Sequence, residues 1–187
     1  EMVLEKADEL SARGVQPVKI LEIGTGSGAI ALSLKKTNPE LEIAATDISP
    51  EALDVANKNC VQLGAELRLW ESDLLEKIPA EEFHILVANL PYIGTEVHEL
   101  IAENVKAYEP ALALFGGRDG LELYAKLFDQ INAQSRNFSF VVGEIGFSQR
   151  EDFLKLAQEK MPNYEARVTQ DLQGLDRHFI LENKRAI

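Results

Sequence analysis

The 187-residue chain has a single cysteine, Cys60, so no internal disulfide can form, and a reducing, cytoplasmic setting is expected. No apolar run approaches the roughly 18 residues of a membrane span, so no membrane association is expected. The acidic opening Glu1-Met2-Val3-Leu4-Glu5-Lys6 is no signal peptide. Positive charge is scarce, with 19 Lys and Arg against 31 Asp and Glu and a formal net charge of −12. An excess of negative charge repels phosphate backbones, which argues against nucleic acid as the main partner. There is no repeat, no low-complexity tract and no Pro/Gly/Ser linker, so residues 1–187 are expected to form one domain. No G-x-x-x-x-G-K-[ST] occurs, which excludes a P-loop. His84, His98 and His178 lack ligand spacing, so no metal is expected. What is present is ordinary for a soluble globular protein: 45% hydrophobic and 27% charged residues. A core of this size needs no covalent staple. The chain opens with Glu, directly inside a helical pattern, which suggests that an N-terminal part is absent.

Apolar strands alternate with helical stretches. Val3, Leu4, Ala7 and Leu10 fall at helical spacing, and Gly14 ends that helix. Strands are expected at Val18–Ile23, Glu42–Asp47, Leu67–Trp70, His84–Asn89, Phe138–Gly143, Glu165–Gln170 and Arg177–Glu182. Helices are expected over Ala29–Lys36, from the Ser49 cap and Pro50 to Gly64, from Asp119 to about Arg136, and over Ser148–Lys160. Residues 90–118 read as one long irregular stretch, of the kind that is usually functional. The last two strands lie too close in sequence for a crossover helix, so they must pair antiparallel. The result is an α/β, doubly wound, mostly parallel seven-stranded sheet with a C-terminal antiparallel strand pair. Ligands of such sheets bind outside the carboxyl ends of the strands, so the motifs to weigh are those just after strands.

Strand one runs into Gly24-Thr25-Gly26-Ser27-Gly28, where glycines permit a tight turn and close approach of a ligand to the backbone. Gly24-x-Gly26-x-x-Ala29 with Asp47 about 20 residues on also satisfies a dinucleotide-binding pattern. Asp47 can accept two hydrogen bonds from a ribose diol. Asp73 could accept from an adenine amine while Leu74 covers the ring face. Strand four ends in Asn89-Leu90-Pro91-Tyr92. The Asn89 side-chain carbonyl can accept from an –NH2 group. Pro91 fixes φ and removes a donor, leaving neighbouring carbonyls free, and Tyr92 offers a flat face. Two acceptors and one face are what a planar –NH2 nucleophile needs to be held and aimed. A nicotinamide-dependent oxidoreductase would explain the glycine loop but not this segment, and a non-catalytic scaffold would not need to retain both. Cys60 reads as a core residue.

Together the blocks E-I-G-T-G-S-G-A-I, D-I-S-P-E-A-L, N-L-P-Y-I, Tyr108-Glu109-Pro110 with Ala111-Leu112, Gly116-Gly117-Arg118-Asp119-Gly120, Gly143-Glu144-Ile145-Gly146 and Asp171-Leu172-Gln173-Gly174-Leu175-Asp176-Arg177 resemble the HemK/PrmC methyltransferases over essentially the whole chain. Members methylate the glutamine amide of the Gly-Gly-Gln motif in peptide chain release factors, an activity of translation termination. The resemblance implies a Rossmann-like class I S-adenosylmethionine-dependent methyltransferase domain, cytoplasmic and monomeric, acting on a release factor. It implies that Gly24, Thr25, Gly26, Ser27, Gly28, Asp47, Asp73 and Leu74 hold S-adenosylmethionine, and that Asn89 also touches its methionine end. It implies that Asn89, Leu90, Pro91 and Tyr92 bind the glutamine, with Leu90 contributing its carbonyl. The family's usual second residue in that segment is proline. The form N-L-P-Y is also similar to ribosomal RNA adenine dimethyltransferases, so the alternative acceptor is the exocyclic amine of adenine in RNA or DNA. The later blocks belong to the release-factor enzymes. The Glu109-Pro110 step is expected to shape the substrate entrance, and Glu144 either faces the site or braces it.

Overall fold

The structure, a computed structural model, describes residues 1–93, 117 and 119–185. Seven strands form one sheet: β1 (Lys19–Ile23), β2 (Glu42–Asp47), β3 (Arg68–Glu71), β4 (Ile85–Ala88), β5 (Phe140–Glu144), β6 (Tyr164–Gln170) and β7 (Asp176–Asn183). Their order is β3-β2-β1-β4-β5-β7-β6. The first five are mutually parallel, and β7 runs antiparallel to both β5 and β6, as the short final connection requires. The helices among the described residues are α1 (Met2–Ala12), α2 (Ala29–Thr37), α3 (Pro50–Leu63), α4 (Glu122–Ala133) and α5 (Arg150–Lys160). The expected architecture is the observed one. None of these helices is long and apolar enough to cross a membrane.

Side chains alternate along a strand, and both faces of a parallel sheet are covered, so each strand feeds two cores. Leu21, Ile23, Ala44, Leu86, Ala88 and Val141 join one cluster with Tyr124, Phe128 and Phe153 of α4 and α5. Ile20, Ile43, Ala45, Ile85, Val87, Phe140 and Val142 join the other with Val3, Ala7 and Leu10 of α1 and Ala31 and Leu34 of α2. Cys60, on α3, is buried as expected, and burial pushes its thiol pKa up.

Local signals account for most boundaries. Ser49 caps α3, its hydroxyl accepting from Ala52 N at 3.2 Å, Pro50 takes the first helical position, and Gly64 ends the helix in the left-handed conformation. Helix α4 begins at Glu122 and not at Asp119, because Asp119 Oδ1 accepts from Leu121 N at 2.8 Å and closes a turn ahead of the helix. His84 lies just before β4. Its Nδ1 accepts from Lys19 N at 2.9 Å, and its main-chain N–H donates to Lys19 O at 2.8 Å, which joins the starts of β1 and β4. The irregular stretch expected over 90–118 falls largely outside the described residues, as do Glu109, Pro110 and His98.

The ends of β4 and β5 are tied by a buried phenol. The Tyr124 hydroxyl lies 2.9 Å from Ala88 O and 2.6 Å from Glu144 O, and burial raises its pKa far above the ordinary tyrosine value. Tyr124→Phe keeps the ring and strips these two buried carbonyls of their donor. It should cost about 1–3 kcal/mol of stability, read as a lower midpoint with unchanged slope in urea denaturation.

Candidate active site

The strand register lines up one edge of the sheet. Ile23 lies beside Thr46 and Ala88, and Ala88 beside Gly143. One residue further along, the row reads Asp47, Gly24, Asn89 and Glu144, with His178 of β7 opposite Glu144. The chain turns away in opposite directions after β1 and β4, which opens a crevice between their carboxyl ends. The glycine loop and the Asn89–Tyr92 segment thus flank one opening.

Gly24, Gly26 and Gly28 all have positive φ, at 70°, 57° and 80°. A Cβ on Gly24 would stand 3.1 Å from Leu90 Cδ2, so the loop and the segment are in contact at this point. A Cβ on Gly26 would meet nothing within 4 Å, so open space lies over that backbone. Ser27 is exposed, whereas Thr25 is buried. Asp47 anchors the loop: its Oδ2 accepts from Gly26 N at 2.8 Å and its Oδ1 from Ser49 N at 2.9 Å. A carboxylate has about four lone-pair sites, so capacity for further donors remains.

The third-strand residues are engaged as well. Ser72 N donates to Asp47 O at 2.9 Å, which hooks this loop beside Asp47. Asp73 Oδ2 accepts from Lys126 Nζ at 2.6 Å, a partner that sequence reasoning did not supply. Leu74 has φ 53° and is 6% exposed, packed within the core. A non-glycine residue at positive φ costs roughly 1–2 kcal/mol, here outweighed by burial of the leucine. The broad face expected of Leu74 is therefore mostly turned to protein.

In the fourth-strand segment Asn89 is exposed, Leu90 is buried, and Pro91 and Tyr92 are half-buried. Leu90 contributes more than the carbonyl expected of it, since its side chain fills the space under Gly24. The Tyr92 hydroxyl donates to Glu144 Oε1 at 2.7 Å. Burial and this carboxylate push its pKa up to about 12, with Arg177 opposing. Tyr92 therefore stays protonated at neutral pH and is no base. Glu144 braces the segment.

Glu22 was missed as an individual residue, although its signal was legible: an acid in the otherwise apolar strand Ile20-Leu21-Glu22-Ile23. It is 1% exposed, and its Oε2 accepts from Thr25 Oγ1 at 2.6 Å and from Ala31 N at 3.1 Å. It thus holds both the glycine loop and the first turn of α2.

This fold with a glycine loop, an acid at the end of β2 and an Asn-x-Pro-Tyr segment after β4 defines a class I methyltransferase domain. The chain belongs to the methyltransferase small domain family, whose model matches residues 6–113. Its sequence is similar to the release factor glutamine methyltransferases of Enterococcus faecalis, 35% identical over 92% of this chain and 62% of that protein. It is likewise similar to that of Bacillus subtilis, 38% identical over 86% of this chain and 56% of that protein. The chain thus spans about six-tenths of the length of these curated relatives. The fold is shared with ribosomal protein L11 methylase from Lactobacillus delbrueckii subsp. bulgaricus at a TM-score of 0.63 and 20% identity, covering 90% of this chain and 71% of that one. It is also shared with the hMettl16 catalytic domain, solved in complex with an MAT2A 3′UTR hairpin, at 0.68 and 13%, covering 89% and 63%.

Burial raises the Glu22 pKa from 4.5 to about 7, against the hydrogen bonds from Thr25 and Ala31. Between these values the native state keeps a proton that the unfolded chain has released, so stability falls as pH rises through the window. Below pH 4.5 nothing is lost, and above about pH 7 the whole penalty, of order 3 kcal/mol, applies. Glu22→Gln removes this titration. Urea melts of both proteins at pH 4.5, 6 and 8 should show the wild type losing ground to the variant as pH rises, and parallel profiles would refute the assignment.

Proposed function

We propose that the chain carries the catalytic domain of a methyltransferase that transfers a methyl group from S-adenosylmethionine to the glutamine side-chain amide of the Gly-Gly-Gln motif in peptide chain release factors. The observation that carries this reading is the exposed Asn89 side chain at the end of β4, set beside a glycine loop it meets through Leu90. The similarity to release factor glutamine methyltransferases over about nine-tenths of the chain favours a protein acceptor. The net charge of −12 weighs against the adenine of a nucleic acid.

The residues present fit the cofactor. Open space over Gly26 lets a ligand lie against the backbone, and Asp47 beside it retains acceptor capacity for ribose hydroxyls. Thr25 and Glu22 fix the loop from beneath, Ser27 and Gly28 lead into the helix, and Asp73 and Leu74 border the adenine end. When bound, S-adenosylmethionine supplies an electrophilic methyl group.

The protein's task is to present a poor nucleophile. An amide nitrogen is weak because its lone pair is delocalised into its carbonyl. The side-chain carbonyl of Asn89 and the main-chain carbonyl of Leu90 accept the two N–H bonds, which raises electron density on nitrogen and orients it. Pro91 stiffens the segment and Tyr92 lies along the amide plane. No strong base is required if the proton leaves to water after the new bond forms. Positioning then supplies most of the acceleration, for which near-attack geometry can be worth about 7–11 kcal/mol.

S-adenosylhomocysteine, and not NAD, should raise the thermal midpoint of the protein. Asp47→Ala should weaken S-adenosylhomocysteine binding by about 1.5–3 kcal/mol in calorimetry, since it removes a carboxylate acceptor and frees the Gly26 amide. Asp47→Asn should fall between, because its one carbonyl oxygen replaces two.

Asn89→Ala should spare the fold and most cofactor affinity and lower turnover at least tenfold, about 1.4 kcal/mol of transition-state stabilisation. The assay offers labelled methyl donor with a release factor, ribosomal RNA and DNA in parallel. Mass spectrometry should place one methyl on the protein's glutamine. Label in nucleic acid alone would overturn the acceptor assignment.

A further inference from the structure

The closing block Asp171–Arg177 resembles its family counterpart, yet nothing in the methyl-transfer scheme uses it. The structure brings it to the acceptor segment. Arg177, on β7, donates through Nη1 to the Tyr92 hydroxyl at 3.4 Å, and its guanidinium carbon lies 5.8 Å from the Tyr92 ring centroid. The same Nη1 donates to Ile145 O at 3.4 Å, while Arg177 O accepts from Ile145 N at 2.8 Å. The residue is thus fastened to the end of β5 by main chain and side chain together.

The other side of Arg177 faces the β6–β7 turn. Its Nε lies 3.6 Å from Asp171 Oδ2, both side chains being 21% exposed. Asp171 is fixed in turn, because its Oδ1 accepts from Gln173 N at 2.8 Å and Leu175 N at 3.0 Å. Its amide donates to Leu175 O at 2.8 Å, which closes the turn. The chain of contacts therefore runs Asp171, Arg177, Tyr92, Glu144, with one cation between two carboxylates.

Tyr92 has no freedom left in this arrangement. Its hydroxyl proton goes to Glu144 and a lone pair receives Arg177. Its main-chain carbonyl accepts from Gln149 Nε2 at 2.8 Å, and Gln149 is itself held by Gly146 N at 2.7 Å. A Cβ on Gly120 would collide with that same carbonyl. Only Pro91, with its fixed φ, and the buried Leu90 separate Tyr92 from Asn89. Whatever sets Tyr92 therefore sets the aim of Asn89.

We infer that Arg177 and Glu144 are positioning residues that fix Tyr92, and that the β6–β7 turn, through Asp171, is the clamp that holds Arg177 in place. This rests on the reading of Asn89–Tyr92 as the acceptor-binding segment. Neither residue touches the amide. Each acts through the tyrosine.

The test uses Arg177→Met, Arg177→Lys, Tyr92→Phe and the Arg177→Met/Tyr92→Phe double variant, each in the full chain. Arg177→Met should leave S-adenosylhomocysteine affinity unchanged and lower kcat for the release factor at least tenfold. Arg177→Lys, which keeps the charge without the fork, should recover part of it. The double variant should be no worse than the poorer single one, since both remove one interaction. In NMR spectra of the wild type and Arg177→Met, the Tyr92 ring and the Asn89 side-chain amide resonances should both move. Unmoved Asn89 resonances, additive losses, or a lower thermal midpoint with kcat intact would each overturn the inference. If the wild type methylates no release factor, the function assigned above fails, and the NMR comparison alone decides the positioning role.

Discussion

Five parallel strands end in register, and every functional group of the candidate site is placed by that alignment. With Ile23, Thr46, Ala88 and Gly143 as neighbours in one row, the next residue of each strand reaches the same edge. A slip of one residue in any strand would turn its side chains to the opposite face. Asn89 would then leave the crevice, and Glu22 would leave α2 for the other core. The two apolar clusters, each fed by alternate residues of the same strands, are what forbid that slip. Core packing in this domain is in that sense the device that aims the site.

Polar groups buried against the sheet then refine the aim. Glu22 and Tyr124 sit on opposite faces of the central strands and perform parallel tasks. The carboxyl gathers Thr25 and Ala31, so that the glycine loop is held at the start of α2. The phenol gathers Ala88 O and Glu144 O, so that β4 and β5 end together. Buried polar groups are costly unless satisfied, and both have partners. The glycine loop and the Asn89–Tyr92 segment are consequently fixed from below, independently of any ligand.

The legible parts of this protein were those with local signals. Strand alternation, the Ser49-Pro50 start, Gly64 and the glycine loop all act within a few residues, and so their placement followed from sequence. The positions of Asp47 and Asn89 beside the crevice followed for the same reason, because each stands at the end of a strand. What could not be read were partners set by tertiary distance. Glu144 meets Tyr92 across 52 residues, Gln149 across 57 and Arg177 across 85. Nothing in the spacing of Asp171 and Arg177 announces that β7 will lie antiparallel beside β5, yet that pairing alone carries the guanidinium to the tyrosine. The partner of Asp73 was hidden in a related way: its loop position was plain, but Lys126 arrives from a helix more than 50 residues later.

Leu90 shows how a residue that stands where the resemblance leads one to expect proline is built into the packing. At that position a proline would supply a carbonyl and a stiff backbone, and the stiffness is provided by Pro91 as well. The leucine adds a branched side chain, 4% exposed, whose Cδ2 comes within 3.1 Å of where a Gly24 Cβ would stand. The residue therefore joins two parts that the sequence presents separately: the glycine loop and the Asn89–Tyr92 segment. A change at Leu90 would be felt in the glycine loop as well as in the Asn89–Tyr92 segment. Leu90 is thus part of the packing that holds the crevice together.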